Sequence, residues 1–574
     1  MAARKKTRSK NTVGPSSRPS GELRKAVPGG GRRLQENPAV TRVIDGLLLA
    51  VACLLVMGLH VILFQNSGAF WRDETSSIQL ASVLPVHHDA AWLAKDSAPP
   101  LLHVLLRLWT ALGYATGDAW IRFFGTVVSL GIMGSLIVSA RLFSGRAPLL
   151  VMALVAFNPT VFYFGSSIRA YGLAMLFVVP CGGAFWRVVQ RPTWRNVTAS
   201  LGLALLSCHA SYQNSYLLFA IGLAGMAVCG LCGLWRRCLL IMTLCGVTAL
   251  SMLVYLPVIR AYADAAQITH FELTNKRILG GLTKAIANGD SSVLSLWLGL
   301  AALAVVFLIV RIVHSRGTLR SAPSLALYAF LVSLGATLSA YGFFRVNGMI
   351  PMPWHYAPLL ALCGLLVEVA VGSRDERAWV WLLRTIAACA LMLLSLPSLW
   401  AHAHMRRTNV DRLCAVLAAE AAADDFVLVS PFWLSPSFKY YYHGKAPWNT
   451  LPLTSSDLEV SLFPYPRFKQ LMTQPDALDA TLEQIDKTLA AGKKLWVVGA
   501  IQFPPRDKVP PTLPPAPQSK HGWNNNTYVQ AWSKQVAHDL HTHALRSELV
   551  VPADAGQAVS RLENFSLSVF EGWR

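Results

Sequence analysis

Long, almost unbroken apolar runs alternate with short polar loops along the first four hundred residues, and the first of them extends from Ile44 to Phe64. A run of about 20 apolar residues is the length of helix that crosses the roughly 30 Å hydrocarbon core of a bilayer. Further runs of this kind lie at roughly 119–142, 147–164, 169–188, 196–212, 214–234, 238–258, 291–314, 323–343, 352–371 and 378–398, which makes eleven expected spans. The stretch 99–114 is also apolar but short, opens on Pro99-Pro100 and carries His103 and Arg107. After residue 400 the period changes. Asp411 to Ala423 and Ala477 to Ala491 have helical spacing, whereas 426–430, 494–499 and 565–570 are short strand-like runs. Pro504 to Pro517 holds too many prolines for either element and reads as a loop. The pattern therefore predicts a polytopic α-helical membrane region over 43–400 and a small α/β domain over 401–574.

Positive charge orients these spans. Arg141/Arg146, Arg187/Arg191/Arg195, Arg236/Arg237, Arg311/Arg316/Arg320 and Arg374/Arg377 all share the side of the basic N-terminus only if 99–114 does not cross. That segment is accordingly expected to lie in the outer interface, with the C-terminal domain outside. Residues 1–42, rich in Lys, Arg, Ser, Pro and Gly, carry too few apolar side chains to fold and read as a disordered cytoplasmic tail. No small-residue cleavage site follows the first run, so it is expected to be a retained span rather than a signal peptide.

At 53% hydrophobic and 14% charged residues, the composition excludes an ordinary soluble protein. The net charge of +21 is spread through loops and tail as orientation signals are, which argues against nucleic-acid binding. Nine of the ten cysteines fall within or beside apolar runs and only Cys414 lies in the C-terminal part, so no disulfide framework holds that part.

The chemistry-bearing stretch is Phe70-Trp71-Arg72-Asp73-Glu74-Thr75, directly after the first span. Adjacent carboxylates in so apolar a chain are costly unless they line a wet cavity, which marks a functional site. The competing reading is a solvated helix cap. With the expected topology, the outer face also gathers Lys95, Asp96, Arg122, Arg169 and Tyr171. Arg122 and Arg169 have their own competing reading, as anchors to lipid head groups. His87-His88 and His402-Ala-His404 lack acidic or Cys partners at ligand spacing, so no metal site is expected.

The order of these features resembles the GT-C membrane glycosyltransferases, in particular the bacterial protein O-mannosyltransferase and aminoarabinose-transferase superfamily. The features are Asp73-Glu74 after span one, Asp96 before Pro99-Pro100-Leu101, Ile121-Arg122, Arg169-Ala-Tyr171 after Asn158-Pro159, and Trp354-His355-Tyr356 before an apolar helix. Two positions depart from the pattern: Ala98 stands where His is common, and His355 where Arg is usual. The resemblance implies an inverting transferase on the outer face of a bacterial plasma membrane, with a polyprenyl-phosphate sugar as donor and a glycan, lipid or protein as acceptor. It implies Asp73 as base with Glu74 beside it, and Arg122, Arg169, Tyr171 and His355 at the donor phosphate. Arg72, Lys95 and Asp96 would support the loop or the acceptor. No cofactor is implied, since the lipid-linked donor is a substrate, and a divalent-ion requirement is left open. The alternative is a transporter or flippase of lipid-linked glycans that breaks no bond, for which repeated halves or mid-span acids would be expected.

The charge asymmetry makes a direct prediction. A reporter fused after residue 574 reads an external location; a cytoplasmic reading would invert the placement of Asp73 and every span with it.

Overall fold

The computed structural model describes residues 38–83, 93, 96, 98–113, 117–143, 147–266, 273–317, 319, 321–348, 350–372, 378–454, 465–505, 508–517, 524–553 and 556–574. Lys95, His87 and His88, like the basic residues Arg146, Arg374 and Arg377, lie outside the described residues. Among the described residues, nine helices are long and apolar enough to cross a membrane: Val40–Asn66, Asp118–Phe143, Ala170–Gln190, Asn214–Leu231, Trp235–Ala261, Ser291–His314, Leu325–Asn347, Pro353–Val371 and Ala378–Ala403. The protein is thus a multi-pass helical membrane protein.

Two of the eleven expected spans differ. The apolar stretch 147–164 is not one helix: a turn at Leu149–Val151 passes into a π-helical turn at Met152–Ala156, and the chain then breaks at Asn158 before Pro159–Gly165. Pro159 takes the first helical position, where its missing N–H costs nothing, and the Asn158 side chain caps Val161 N at 3.0 Å. Every residue from Leu149 to Gly165 is buried, so this stretch is apolar because protein surrounds it. Irregular backbone at membrane depth is tolerated only under such cover. The expected span 196–212 is a 17-residue helix, Trp194–Ala210, which rises about 25 Å.

The short stretch behaves as its length requires. It forms a 12-residue helix, Leu101–Leu112, about 18 Å long and too short to cross. Leu102, His103 and Leu106 are buried while Val104, Leu108 and Leu112 are exposed, the two-faced pattern of a helix lying along an interface.

From Asn409 onward the chain builds a five-stranded sheet of order β2-β1-β3-β5-β4, with β1 Phe426–Ser430, β2 Trp448–Thr450, β3 Leu495–Gly499, β4 Ala544–Val551 and β5 Ser566–Trp573. β1 pairs in parallel with β2 and β3, while β5 runs antiparallel to both β3 and β4. The three expected strands become β1, β3 and β5. The two at the edges were not expected: β2 has three residues, and β4 carries Arg546, Ser547 and Glu548 exposed in succession, without alternation. Residues 504–505 and 508–517 have no regular structure.

A buried ionic trio ties the bundle together near the start of α1 (Pro38–Asn66). Arg384 Nη2 lies 2.5 Å from Asp45 Oδ2 and its Nη1 3.5 Å from Glu368 Oε1. Glu368 Oε2 accepts the Leu150 and Val151 N–H groups at 2.7 and 3.0 Å, and Trp381 Nε1 donates to Asp45 at 2.9 Å. Four segments of the membrane region meet on these side chains. Removing one partner of a buried pair strands the others, at a typical cost of about 3–5 kcal/mol. Arg384→Met is therefore expected to lower the unfolding midpoint of the purified protein steeply, and a midpoint within a degree or two of wild type would show that the trio is not a fastening.

Candidate active site

The site is built on the turn that joins α1 to α2 (Arg72–Val83). Gly68 sits at φ +63°, a left-handed backbone that favours glycine, and a side chain there would have to displace the Arg406 guanidinium. The turn is gripped from outside. Arg407 N donates to Ser67 O (2.9 Å), Phe70 N donates to the Tyr441 hydroxyl (2.8 Å), and Arg122 Nη2 donates to Gly68 O (2.5 Å).

Successive residues of a helix point about 100° apart, so Asp73 and Glu74 enter different surroundings. Glu74 is fully buried. Its Oε1 accepts Ile168 N–H at 2.9 Å and lies 3.7 Å from Arg407 Nε. Arg407 in turn donates to Tyr163 O (2.8 Å) and Ser166 Oγ (3.1 Å) and stands over the Tyr163 ring. Glu74 thus joins α2, the loop before α6 (Ala170–Gln190) and the segment after Ala403.

Asp73 keeps a carboxylate that is 19% exposed, its Oδ1 3.6 Å from Arg72 Nε. Burial pushes its carboxyl up, while the Arg169 and Arg72 charges pull it down and Asp96 and Glu74 add to the rise; the balance is upward. Its backbone carbonyl accepts from Arg169 Nη1 (3.3 Å). The same nitrogen donates to Ser77 Oγ (2.7 Å) and Asp96 Oδ2 (3.0 Å), and Nη2 lies 2.9 Å from Asp96 Oδ1. Arg169 therefore meets Asp96 with both terminal nitrogens, one through a hydrogen bond to Oδ2 and the other through an ionic contact with Oδ1. Burial works against Asp96, yet the Arg169 charge, the nearby His103 and the Ser77 hydroxyl together hold its carboxyl well below the usual range. His103 Nε2 lies 3.1 Å from Asp96 Oδ2, a contact that brings the interfacial helix into the site and that nothing in the sequence pattern marked.

Beyond Arg169 the aromatic wall begins. The Arg169 guanidinium is 5.9 Å from the Tyr171 ring centre, and Tyr171 lies 6.1 Å from both Trp354 and His355. Trp354 reaches Trp71 at 6.0 Å, while His355 Nδ1 accepts the Met352 N–H at 3.0 Å. Arg169, Tyr171, His355, Asp96 and Asp73 thus fall in one neighbourhood. Arg122 is on the other flank of the turn, its guanidinium 4.4 Å from the Phe70 ring centre, beside Asp118 and the tyrosines of the C-terminal part. Tyr440 and Tyr441 donate to Asp118 at 3.2 and 2.6 Å, so this pair docks the C-terminal part onto the bundle. Arg72 donates its backbone N–H to Glu563 (2.7 Å) and Nη1 to Leu562 O (3.2 Å). Arg407 and Glu563 were invisible to motif reading, because their partners lie hundreds of positions away. Among the described residues, no three His, Cys, Asp or Glu side chains are grouped so as to hold a metal ion.

The contrast between the two acids is testable. Glu74→Gln loses a charge-assisted acceptor and leaves buried Arg407 short of a counter-charge, which costs about 1–3 kcal/mol. Asp73→Asn removes only a partly exposed charge. Thermal unfolding should show a clear drop for the first and a small change for the second; equal drops would mean that both acids are structural.

No protein-family model matches the sequence, and the search of curated proteins returned no significant match. Among solved structures the chain is similar to ArnT from Cupriavidus metallidurans bound to undecaprenyl phosphate, at 14% identity over 91% of this chain and 97% of that one, with a TM-score of 0.47. It is also similar to the Archaeoglobus fulgidus oligosaccharyltransferase in complex with zinc and sulfate, at 11% identity over 89% of this chain and 73% of that one, TM-score 0.48. A third similarity is to AglB of the same organism with an inhibitory peptide and a dolichol-phosphate, at 11% identity over 79% and 69%, TM-score 0.44.

Proposed function

We propose that this protein is an inverting glycosyltransferase that moves a sugar from a polyprenyl-phosphate donor to an acceptor on the outer face of a bacterial plasma membrane. The observation that carries the reading is the junction at the end of α1. There a partly exposed carboxylate, Asp73, stands beside a buried arginine, an aromatic wall and a helix too short to cross the membrane. The order of motifs along the chain points the same way.

In this reading the acceptor hydroxyl attacks the anomeric carbon from the face opposite the phosphate. The bond between that carbon and the phosphate oxygen breaks, the electron pair leaves with polyprenyl phosphate, and configuration inverts. The hydroxyl proton passes to Asp73. Its raised proton affinity suits a base, because a carboxylate of ordinary strength holds such a proton weakly. Arg169 supplies its charge to the donor phosphate, and Asp96 fixes the plane of the guanidinium. Tyr171 and His355 line the same side, and Arg122 serves the phosphate or the turn that carries Asp73. Glu74 acts by holding α2 in place. Lys95 and Arg72 support the loop and the acceptor side. The N-terminal tail is cytoplasmic, and the C-terminal α/β domain lies outside beside the site.

The transport reading gives Asp73 no task. The buried acids of the bundle, Asp45 and Glu368, are matched to Arg384 at the far end of α1, about 31 Å of helix from Asn66. They are engaged as fastenings rather than standing along a path.

Asp73→Asn keeps size and most hydrogen bonding but takes no proton. With labelled polyprenyl-phosphate sugar and purified protein, transfer should fall by about a hundredfold or more, the scale of a lost general base. Donor binding should persist. Near-normal transfer by this variant would remove the mechanism, and flipping of lipid-linked glycan by wild type without bond cleavage would favour transport.

A further inference from the structure

Glu563 is fully buried. One carboxylate oxygen accepts the Arg72 backbone N–H and the other accepts the Ser437 hydroxyl. Arg72 is drawn two ways: its Nη1 donates to Leu562 O, next to Glu563, while its Nε lies 3.6 Å from Asp73. Glu563 is 491 positions from Arg72 along the chain, so this contact forms only when the C-terminal part is seated on the bundle. That seating is extensive. Arg406 N donates to Ala558 O, Ser560 N donates to Arg406 O, and Gln557 Nε2 donates to the carbonyls of Asn66 and His404.

We propose that Glu563 is a positioning residue for the base: its charge holds Arg72 toward the C-terminal segment and so sets the proton affinity of Asp73. Seating of the C-terminal part is thereby coupled to transfer. For its catalytic consequence the inference rests on the transfer reading above, to which it adds a residue outside every motif of the membrane region.

The groups facing Glu563 are Arg72 and Asp73 from α2 and Ser437 from the helix Ser435–Tyr441. Burial pushes the Glu563 carboxyl up to about 7. The Arg72 charge and the hydrogen bonds from Ser437 and Arg72 pull against this, and the Asp73 charge adds to the rise. Interaction between two titrating groups is mutual. When Glu563 is charged, above about pH 7, it competes for Arg72 and adds negative charge near Asp73, so Asp73 holds a proton more firmly. When Glu563 is neutral, the Arg72 charge acts on Asp73 alone and weakens it as a base.

Glu563→Gln is the test, because its amide carbonyl still accepts from Arg72 and its amide N–H still meets the Ser437 oxygen. In full-length protein kcat should fall roughly three- to tenfold, the effect of up to about one pKa unit in base strength. KM for the donor should stay within about twofold, since binding contacts are kept. The rise in wild-type kcat/KM through about pH 7, where Glu563 ionises and strengthens the base, should be absent from the Glu563→Gln profile. Glu563→Asp, which keeps an ionisable carboxyl, should retain that rise whatever its rate. A Gln profile that superimposes on wild type, scaled or not, would reduce Glu563 to a docking contact and overturn the proposal. The titration is also read without turnover. The folded state binds the Glu563 proton more tightly than the unfolded chain, so wild type should lose stability relative to Glu563→Gln as pH rises from about 4.3 through about 7. A pH-independent difference would overturn the proposal even in an active enzyme. Wild type without any transfer would count against the glycosyltransferase reading and leave this titration standing.

Discussion

The arrangement at the end of α1 depends on one burial: Glu74, an ionisable side chain with no exposed surface. A carboxylate taken out of water must be matched where it lands, or it neutralises or expels the structure around it. The Ile168 N–H and the Arg407 guanidinium supply the match, and each belongs to a different part of the chain. Meeting that requirement draws the loop before α6 and the segment after Ala403 onto the first turn of α2. Once they are drawn there, Arg169 follows directly after Ile168 and is delivered to the opposite side of α2, against Asp73 and Asp96.

The turn therefore carries two acids with unequal freedom. Glu74 has spent its oxygens on backbone and arginine, whereas Asp73 shares a helix turn with it yet retains a partly open carboxylate. In the proposed transfer reading this preorganisation matters, since a base that drifts by an ångström loses most of its effect. The neighbouring Arg169–Asp96 pair is fixed by two contacts, and His103 and Ser77 brace its carboxylate. The interfacial helix is thereby tied to the site through a side chain that its length and amphipathic pattern gave no reason to suspect.

Hydropathy made the membrane region readable, because nine of its helices are apolar over about 20 residues, whether they face lipid or, like Pro353–Val371, are largely covered by protein. The same signal failed at 147–164, where every side chain from Leu149 onward is covered by protein: an apolar run does not say whether lipid or other helices surround it. Period served well for β1, β3 and β5, whose burial follows from their place inside the sheet. It had no purchase on β4, whose edge position leaves a polar run exposed, or on three-residue β2. The motif residues Asp73, Arg169 and Tyr171 were legible from order along the chain, and they do come together. Arg407, His103 and Glu563 were not, because each acts through a partner that only the fold brings near. Lys95 lies outside the described residues.

Arg169 is the cation most tightly held at this junction. Its two terminal nitrogens are committed to Asp96, Ser77 and the Asp73 carbonyl, while its Nε–H is buried and has no partner among the described residues. In the proposed transfer reading, a guanidinium held in this way meets the donor phosphate from a fixed place, with a charge already half matched by Asp96. Such an arginine binds a ground-state phosphate modestly, while the charge that builds on the leaving oxygen during bond breaking gains more from a cation already fixed in place. The pairing with Asp96 thus need not subtract from a role at the phosphate. It exchanges raw attraction for fixed position, which is the more useful property where charge develops only as the bond breaks.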